Sequence, residues 1–237
     1  MLLFYIRHGD PIYNPDGLTE LGKRQAQALV QRMKLCNPDK IFASSSNRAI
    51  MTANPTAEYL KKDIQILDWC NERHVAKEFI VNTDNGGRAW CFHYDKYRKI
   101  FASAEVQALG KKWYEHEMFA SLRFAEGVKR VQQEVDKFIR ELGYLHDSEN
   151  NVYIPERQNE DRIALFAHQG FGMIFLSCLL DIPYPQIALH FDHGHSEMTV
   201  IEWKGNDFVI PRVLQMSNDS HIFAAGISTN YQNEILF

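Results

Sequence analysis

The sequence predicts an α/β fold, a three-layer αβα sandwich with a mostly parallel central sheet and a helical cap insertion. Short apolar runs alternate with amphipathic segments, and two of these runs, YIRH and ALFAH, end on histidine. Strands that alternate with helices are typical of a parallel sheet covered on both faces. The 237 residues, 45% of them hydrophobic, are enough for one large core, so we expect one domain over 1–237.

Three short apolar runs in the first third of the chain predict buried strands, at residues 2–6, 41–44 and 64–67. Residues 10–18 contain two prolines and an Asp-Gly, so we expect a loop there. Thr19 can cap a helix that runs to about Met33, and Ser45 or Ser46 can cap the next helix.

The middle of the chain predicts an insertion at about 75–121, which is aromatic and basic and has a helical pattern. We expect this insertion to form a cap over the ligand pocket. Residues 124–142 carry apolar side chains at helical spacing, and 146–161 form a polar stretch that predicts a loop. The remaining predicted elements are a buried strand at 162–168, a helix at 169–180 and closing strands at 196–203 and 208–216.

Composition limits the classes of partner. The formal net charge is −4, which argues against a general nucleic-acid binder. The apolar stretch 171–180 is too short to span a bilayer, so we expect no membrane partner. The opening apolar run is too short for a signal peptide, and the four cysteines include no CxxC pair. We therefore expect a cytoplasmic location.

Charged side chains follow three of the predicted strands. The first strand ends on Arg7 and His8, a later strand ends on His168, and Arg48 begins the helix after the strand at 41–44. Ligands of α/β sheets bind at the carboxyl ends of strands, and a helix N-terminus favours anions. Guanidinium groups offer paired donors to phosphate oxygens, so these four residues predict a phosphoryl site.

Five motifs occur in the order RHG, LTELGKRQA, SSNRAIMTA, NER and AHQG. Together they resemble the histidine phosphatase superfamily, also called phosphoglycerate mutase-like. The matching positions, which lie in both halves of the chain, are Arg7, His8, Gly9, Leu18, Thr19, Gly22, Gln25, Ala26, Ser44, Ser45, Arg48, Ala49, Thr52, Ala53, Ala167, His168, Gln169 and Gly170.

The resemblance implies a mechanism. His8 would attack phosphorus and form a phosphohistidine, which requires a neutral ring. Arg7, Arg48 and His168 would bind the three equatorial oxygens, so no metal or other cofactor is expected. Glu72, in the stretch CNERH, would protonate the leaving oxygen and later activate water.

Two other carboxylates are alternatives to Glu72 as proton donor, namely Asp68 and Glu126. Four further residues are expected to contact the substrate: Gly9, Asn14, Arg73 and Gln169. Asn14 matches in spacing an asparagine that touches substrate in mutases, although Asn-Pro is also a turn former.

The sequence departs from the mutase pattern after the NERH stretch, where VAKEFIVNTDNGG replaces a Tyr-Gly and a Leu-Gln-Gly, and Asp10 replaces the usual glutamate. A mutase must hold its intermediate while excluding water. We therefore expect a metal-independent phosphatase that acts on a small phosphorylated metabolite. The alternatives are a phosphoglycerate mutase and a catalytically silent phosphate-binding module. A homodimer is also possible.

Two groups of residues allow more than one interpretation from the sequence. Arg73, Arg88 and Arg98 could reach a second acidic group, and four aromatics of the insertion could stack on a ring or form its own core: Trp90, Phe92, Tyr94 and Tyr97. In the stretch LHFDHGHSEM, four residues could ligate zinc: His190, Asp192, His193 and His195. The preferred interpretation is that these histidines form local hydrogen bonds or line the pocket.

Overall fold

The computed structural model of this protein describes residues 1–157 and 159–227. Its strands are β1 (Leu2–Arg7), β2 (Pro11–Tyr13), β3 (Asp16–Leu18), β4 (Lys40–Ser44), β5 (Ile64–Leu67), β6 (Ile80–Asn82), β7 (Arg88–Trp90), β8 (Tyr144–Asp147), β9 (Val152–Pro155), β10 (Arg162–Ala167), β11 (Met198–Glu202) and β12 (Arg212–Asn218). Its α-helices are α1 (Glu20–Cys36), α2 (Asn47–Leu60), α3 (Glu72–Phe79), α4 (Asp95–Phe101), α5 (Ala104–Ala108), α6 (Phe124–Glu141), α7 (Gln169–Leu180), α8 (Tyr184–His190) and α9 (Ser220–Ala224). Short 3₁₀ turns occupy Asp68–Cys70, Gly110–Glu115 and Glu117–Phe119.

The central sheet of the described chain has six strands in the order β12-β11-β1-β10-β4-β5. Strands β1, β10, β4 and β5 pair in parallel, while β11 and β12 add an antiparallel edge beside β1. The β1–β10 register runs from Leu2 opposite Arg162 to Arg7 opposite Ala167. The mostly parallel sheet predicted from the sequence is therefore confirmed.

Helices cover both faces of this sheet, which gives the predicted three layers. Alternate residues of β1 point to opposite faces, so Leu3 and Tyr5 join one buried cluster and Phe4 and Ile6 join another. The first cluster includes side chains of α6 and α7, and the second includes side chains of α1 and α2. Helix α7 is apolar nearly all round because it lies buried in the first cluster.

Three local predictions were wrong. Residues 10–18 form the hairpin β2–β3, and the polar stretch after α6 contains the hairpin β8–β9. Residues 88–90 pair with β6 instead of continuing a helix. Each of these strands has only three or four residues, which is too short to show a clear alternation of apolar and polar side chains.

The last strand begins at Arg212 and not at residue 208, as the apolar run suggested. Pro211 precedes it and has no N–H to donate to a ladder. Val209 instead exchanges backbone hydrogen bonds with Tyr153, in an isolated bridge to β9. Residues 230–237, for which the sequence alone indicates no local structure, lie outside the described residues.

The aromatic side chains between α4 and α6 extend the main core. Phe101, Trp113 and Phe119 are buried, and the Trp113 ring stacks on Tyr184 of α8 with centroids 5.2 Å apart. Phe101 meets Trp113 edge to face at 5.5 Å. These contacts explain most of the aromatic content of this segment as packing. The predicted start at residue 75 falls inside α3.

Within the described ranges, no helix combines the length and the apolar character that crossing a membrane requires.

A buried histidine ties α6, β8 and the end of α7 together. His146 lies 2.8 Å from Asp136 through Nδ1 and 3.0 Å from Asp181 through Nε2, and its ring stacks on Tyr153. Burial opposes protonation of His146, but the hydrogen bonds to the two aspartates outweigh it and raise its pKa to about 9. His146 is therefore an imidazolium at neutral pH.

This raised pKa predicts a pH-dependent stability. Because the folded pKa lies above the unfolded value of about 6.5, the stabilisation is complete below about pH 6.5 and is lost as pH rises towards 9. We subtract the unfolding free energy of His146→Gln from that of wild type. This difference should be about 2–3 kcal/mol larger at pH 6 than at pH 9.5. Urea unfolding of both proteins at the two pH values measures this difference. Other titratable groups contribute equally to both proteins, so their effects cancel when the two values are subtracted. A pH-independent difference would contradict it.

Candidate active site

The parallel pairing of β1 and β10 brings two histidines together at the carboxyl ends of the strands. The His8 N–H donates to the Ala167 carbonyl at 3.0 Å, which continues the ladder by one residue. His168 follows Ala167 directly, and the ring centroids of His8 and His168 lie 5.2 Å apart. Both side chains are almost fully buried.

His8 is held in one orientation. Its Nδ1 lies 2.7 Å from the Gly9 carbonyl, which can only accept, so Nδ1 carries the hydrogen and Nε2 keeps a free electron pair. Burial lowers the pKa of His8 well below its usual range, and the neighbouring His168 and Arg7 lower it further. The ring is therefore neutral at physiological pH, as a nitrogen nucleophile must be.

Two glycines allow the turn after His8 to lie against α1. A Cβ at Gly9 would sit 2.7 Å from the Gly22 carbonyl oxygen, and a Cβ at Gly22 would sit 2.2 Å from the Asp10 carbonyl oxygen. The Gly9 N–H donates to Thr52 Oγ1 of α2 at 3.0 Å. Thr19 caps α1 by accepting from the Gly22 N–H, as the sequence predicted. These contacts fix the position of His8 relative to α1 and α2.

Arg48 lies near the N-terminus of α2 and contacts three groups. Nη1 donates to Asp16 Oδ1 at 2.7 Å, and Nη2 lies within reach of Glu72 Oε2 at 3.2 Å and His168 Nδ1 at 3.1 Å. Asp16 also accepts from the Asn47 N–H at 2.7 Å, at the start of α2. The carboxylate of Asp16 therefore holds both the guanidinium and the helix end.

Glu72, the first residue of α3, reaches the same point. Its Oε1 accepts from the Gly170 N–H at 2.8 Å, at the N-terminus of α7. Its Oε2 lies 3.8 Å from His168 Nδ1. Because a guanidinium only donates, His168 Nδ1 accepts from Arg48, and Nε2–H donates to Ser44 Oγ at 2.8 Å. Burial lowers the pKa of His168, and the nearby Arg48 and Arg7 lower it further, which keeps this ring neutral too.

Arg7 approaches from the other side and is held by the loop before β11. Its Nη2 donates to His195 Nε2 at 2.8 Å, and its Nη1 donates to the His193 carbonyl. His195 Nδ1 lies 3.4 Å from Asp10 Oδ1. Burial and the Arg7 charge lower the pKa of His195 to about 4, so His195 is neutral and can accept from Arg7.

Both arginines retain a free donor. The Nε atoms of Arg7 and Arg48 are buried and have no hydrogen-bond partner among the described residues. A buried, unpaired donor on a charged group is costly unless a ligand satisfies it. Two such donors beside neutral histidines are suited to an anionic ligand.

The same cluster contains potential metal ligands. One ligand atom each of His8, Glu72 and His168 can be chosen so that the three lie within 4.8 Å of one another. The Arg48 guanidinium, however, already contacts both Glu72 and His168. A cation placed there would face this fixed positive charge, so the donor set fits an anion better than a metal ion.

The alternative proton donors are placed less well than Glu72. Asp68 is half-exposed and accepts from Ser45, Arg73 and His74, and hydrogen bonds from Ser45 and His74 hold its pKa well below the usual range. Glu126 is exposed and pairs with Arg123 at 2.7 Å in the first turn of α6.

The predicted substrate-binding residues are spread over the rim. Asn14 is exposed at the turn between β2 and β3, as its turn-forming alternative suggests. Arg73 is exposed and donates to Asp68 Oδ1 at 2.6 Å. Gln169 begins α7 and donates to Asp192. Gly9 contributes its backbone behind His8.

A cavity of about 560 Å³ opens beside Arg48. The residues that matter for its chemistry are Tyr13, Asp16, Arg48, Glu72, Arg73 and Trp90. Arg48 and Glu72 also belong to the cluster around His8, so the cavity adjoins it directly.

The four possible zinc ligands of LHFDHGHSEM do not converge on one point. His195 binds Arg7, whereas His193 is buried with Nδ1 3.1 Å from Ser217 Oγ. His190 is exposed at the end of α8, and Asp192 binds Gln169. The local hydrogen bonding preferred from the sequence describes these residues better than a zinc site.

Sequence reasoning missed the contributions of Asp16, Tyr13 and Ser44 to the site. Asp16 and Tyr13 lie in the stretch interpreted only as a loop, and the Tyr13 ring lies 5.4 Å from the Arg48 guanidinium. Ser44 belongs to a matching motif, but the motif does not indicate that its hydroxyl pairs with His168. Pairing of this kind needs the tertiary arrangement and leaves no local signal.

Residues 3–78 match the family described as "Histidine phosphatase superfamily (branch 1)". The resemblance to the histidine phosphatase superfamily is confirmed. The matched segment carries Arg7, His8, Arg48 and Glu72. No curated protein matches the chain significantly.

Solved structures show the same fold at low sequence identity. Phosphoserine phosphatase from Entamoeba histolytica, with phosphoserine bound, superposes with a TM-score of 0.58 at 17% identity, covering 93% of this chain and 98% of that one. A mycobacterial glucosyl-3-phosphoglycerate phosphatase with inorganic phosphate gives 0.59 at 19% identity, with 93% and 98% coverage. The alpha-ribazole phosphatase from Shigella flexneri gives 0.56 at 19% identity, with 92% and 97% coverage.

The close approach of Gly22 to Asp10 predicts a strong effect of one methyl group. Gly22→Ala places a Cβ against backbone, so we expect a loss of about 3 kcal/mol or more in unfolding free energy. Gly17→Ala is the matched control, because its Cβ would meet only Met51 Sδ at 3.4 Å, an ordinary contact. Urea unfolding compares the two variants. Equal stabilities would show that the turn after His8 does not depend on this contact.

Proposed function

We propose that this protein is a metal-independent phosphatase that hydrolyses a small phosphate monoester through a phosphohistidine on His8. The observation that supports it most is the neutral His8, with Nδ1 bound to Gly9, beside two guanidinium groups that keep unpaired Nε donors. The family match supports the same reaction class.

In the first step, the Nε2 electron pair of His8 attacks phosphorus, and the bond from phosphorus to the leaving oxygen breaks. The Glu72 carboxyl group gives its proton to that oxygen, so a neutral alcohol departs. The positive charge that develops on the imidazole is shared through Nδ1–H and the Gly9 carbonyl.

In the second step, a water oxygen attacks phosphorus while Glu72 takes a proton from it. The bond from phosphorus to Nε2 breaks, its electron pair returns to His8, and inorganic phosphate is released. Arg7 and Arg48 surround the phosphoryl oxygens in both steps and offset the charge that builds on them, and the neutral His168 helps to position the Arg48 guanidinium.

Hydrolysis is preferred over the mutase reaction because of the charges beside the cluster. A phosphoglycerate mutase needs a cationic site for a second acidic group of its intermediate. The additional cation of the cavity is Arg73, and that guanidinium is already paired with Asp68. The catalytically silent module is disfavoured because His8 keeps a free Nε2 and a fixed ring orientation.

Steady-state assays of phosphate release in EDTA test this proposal. His8→Ala should abolish release from benzyl phosphate and glycerol 3-phosphate, and Glu72→Gln should lower kcat about 10²–10⁴-fold, since it removes the proton that the leaving oxygen needs. Glu126→Gln is the matched carboxylate control and should leave kcat unchanged, because Glu126 pairs with Arg123 on the surface.

Retention of activity in His8→Ala would overturn the phosphohistidine route. Loss of wild-type activity in EDTA, restored by a divalent cation, would overturn the metal-independent mechanism. Equal losses in Glu72→Gln and Glu126→Gln would remove the case for Glu72 as proton donor.

A further inference from the structure

We infer that the cavity beside Arg48 selects phosphate monoesters whose alcohol carries an uncharged ring, and that it disfavours a second anionic group on the substrate. This inference rests on the proposed phosphatase function and names the substrate class of the same site. It depends on the position of the cavity, its aromatic walls and its charge balance.

The cavity lies where the leaving alcohol must go. Glu72 is the proposed donor to the leaving oxygen, so that oxygen lies at the Glu72 carboxyl group during the first step. Glu72 and Arg48 both line the cavity and both contact the His168 side of the cluster. The carbon skeleton attached to the leaving oxygen can therefore extend from Glu72 into the cavity.

Two aromatic side chains border this space and are available for stacking. Tyr13 is 67% exposed on the β2–β3 hairpin, with its ring 5.4 Å from the Arg48 guanidinium. Trp90 is half-buried and fixed, because its ring packs on Gly170, where an added Cβ would approach to 2.6 Å, and stacks on Phe92 at 5.4 Å. A volume of about 560 Å³ is large for a three-carbon alcohol and leaves room for a ring.

The charges of the cavity disfavour a second anion. Its two cations are each already paired, Arg48 with Asp16 at 2.7 Å and Arg73 with Asp68 at 2.6 Å. Among the described residues that line the cavity, no cation is left without a carboxylate partner, so a carboxylate or second phosphate on the substrate would meet repulsion without a compensating ion pair.

Three esters with alkyl leaving groups separate the two parts of the inference. Benzyl phosphate compared with glycerol 3-phosphate measures the preference for a ring, and glycerol 3-phosphate compared with 3-phosphoglycerate measures the penalty for a carboxylate. We expect kcat/KM to be about tenfold higher for benzyl phosphate than for glycerol 3-phosphate. We also expect it to be about tenfold higher for glycerol 3-phosphate than for 3-phosphoglycerate.

Two variants connect these preferences to named residues. Tyr13→Ala should raise KM for benzyl phosphate about three- to tenfold more than it raises KM for glycerol 3-phosphate, and Tyr13→Phe should keep the wild-type ratio of the two KM values because it keeps the ring. Asp68→Asn frees Arg73 and should raise kcat/KM for 3-phosphoglycerate several-fold relative to glycerol 3-phosphate. Both positions are exposed, so the fold should tolerate these changes.

The results distinguish this inference from the function on which it rests. If 3-phosphoglycerate is hydrolysed as well as benzyl phosphate, or if Tyr13→Ala affects all three esters equally, the substrate class is wrong while the phosphatase function stands. If none of the esters releases phosphate and His8 gains no phosphoryl group, the proposed function fails and this inference fails with it.

Discussion

The parallel pairing of β1 with β10 is the constraint on which the site depends. Because the two strands run in register to Arg7 opposite Ala167, His8 and His168 emerge side by side at one edge of the sheet. Arg48 comes from the helix after β4, the next strand in the sheet. The sheet also fixes what lies behind the site, since Tyr5 of β1 donates through its hydroxyl to the His168 carbonyl from within the main core. A slip of one residue in β1 would turn His8 to the opposite face and remove the site.

Burial and positive charge act together on the two histidines. Each is almost fully buried beside guanidinium groups, and both influences favour the neutral imidazole. The Arg48 guanidinium contacts the carboxyl groups of Asp16 and Glu72. The resulting site has neutral rings and fixed cations with spare donors. This combination suits a nucleophile that must attack an anion.

Much of the fold and the centre of the site could be predicted from the sequence. The strands at β1, β4, β5 and β10 are apolar runs bounded by polar residues, and motifs mark His8, Arg48, His168 and Glu72. The hairpins β2–β3, β6–β7 and β8–β9 escaped prediction because strands of three or four residues carry almost no periodicity. The contacts of Asp16 with Arg48 and of His195 with Arg7 join residues 32 and 188 positions apart, so only the folded chain shows them.

Trapping a phosphorylated enzyme would show whether His8 is the nucleophile. Wild type and His8→Ala would be mixed with benzyl phosphate, quenched in base, where phosphohistidine survives, and digested for mass spectrometry of the peptide that contains Arg7, His8 and Gly9. We expect one added phosphoryl group on His8 in wild type and none in the variant. Turnover of the ester by wild type with no phosphoryl group on His8, or with one on another residue, would contradict it.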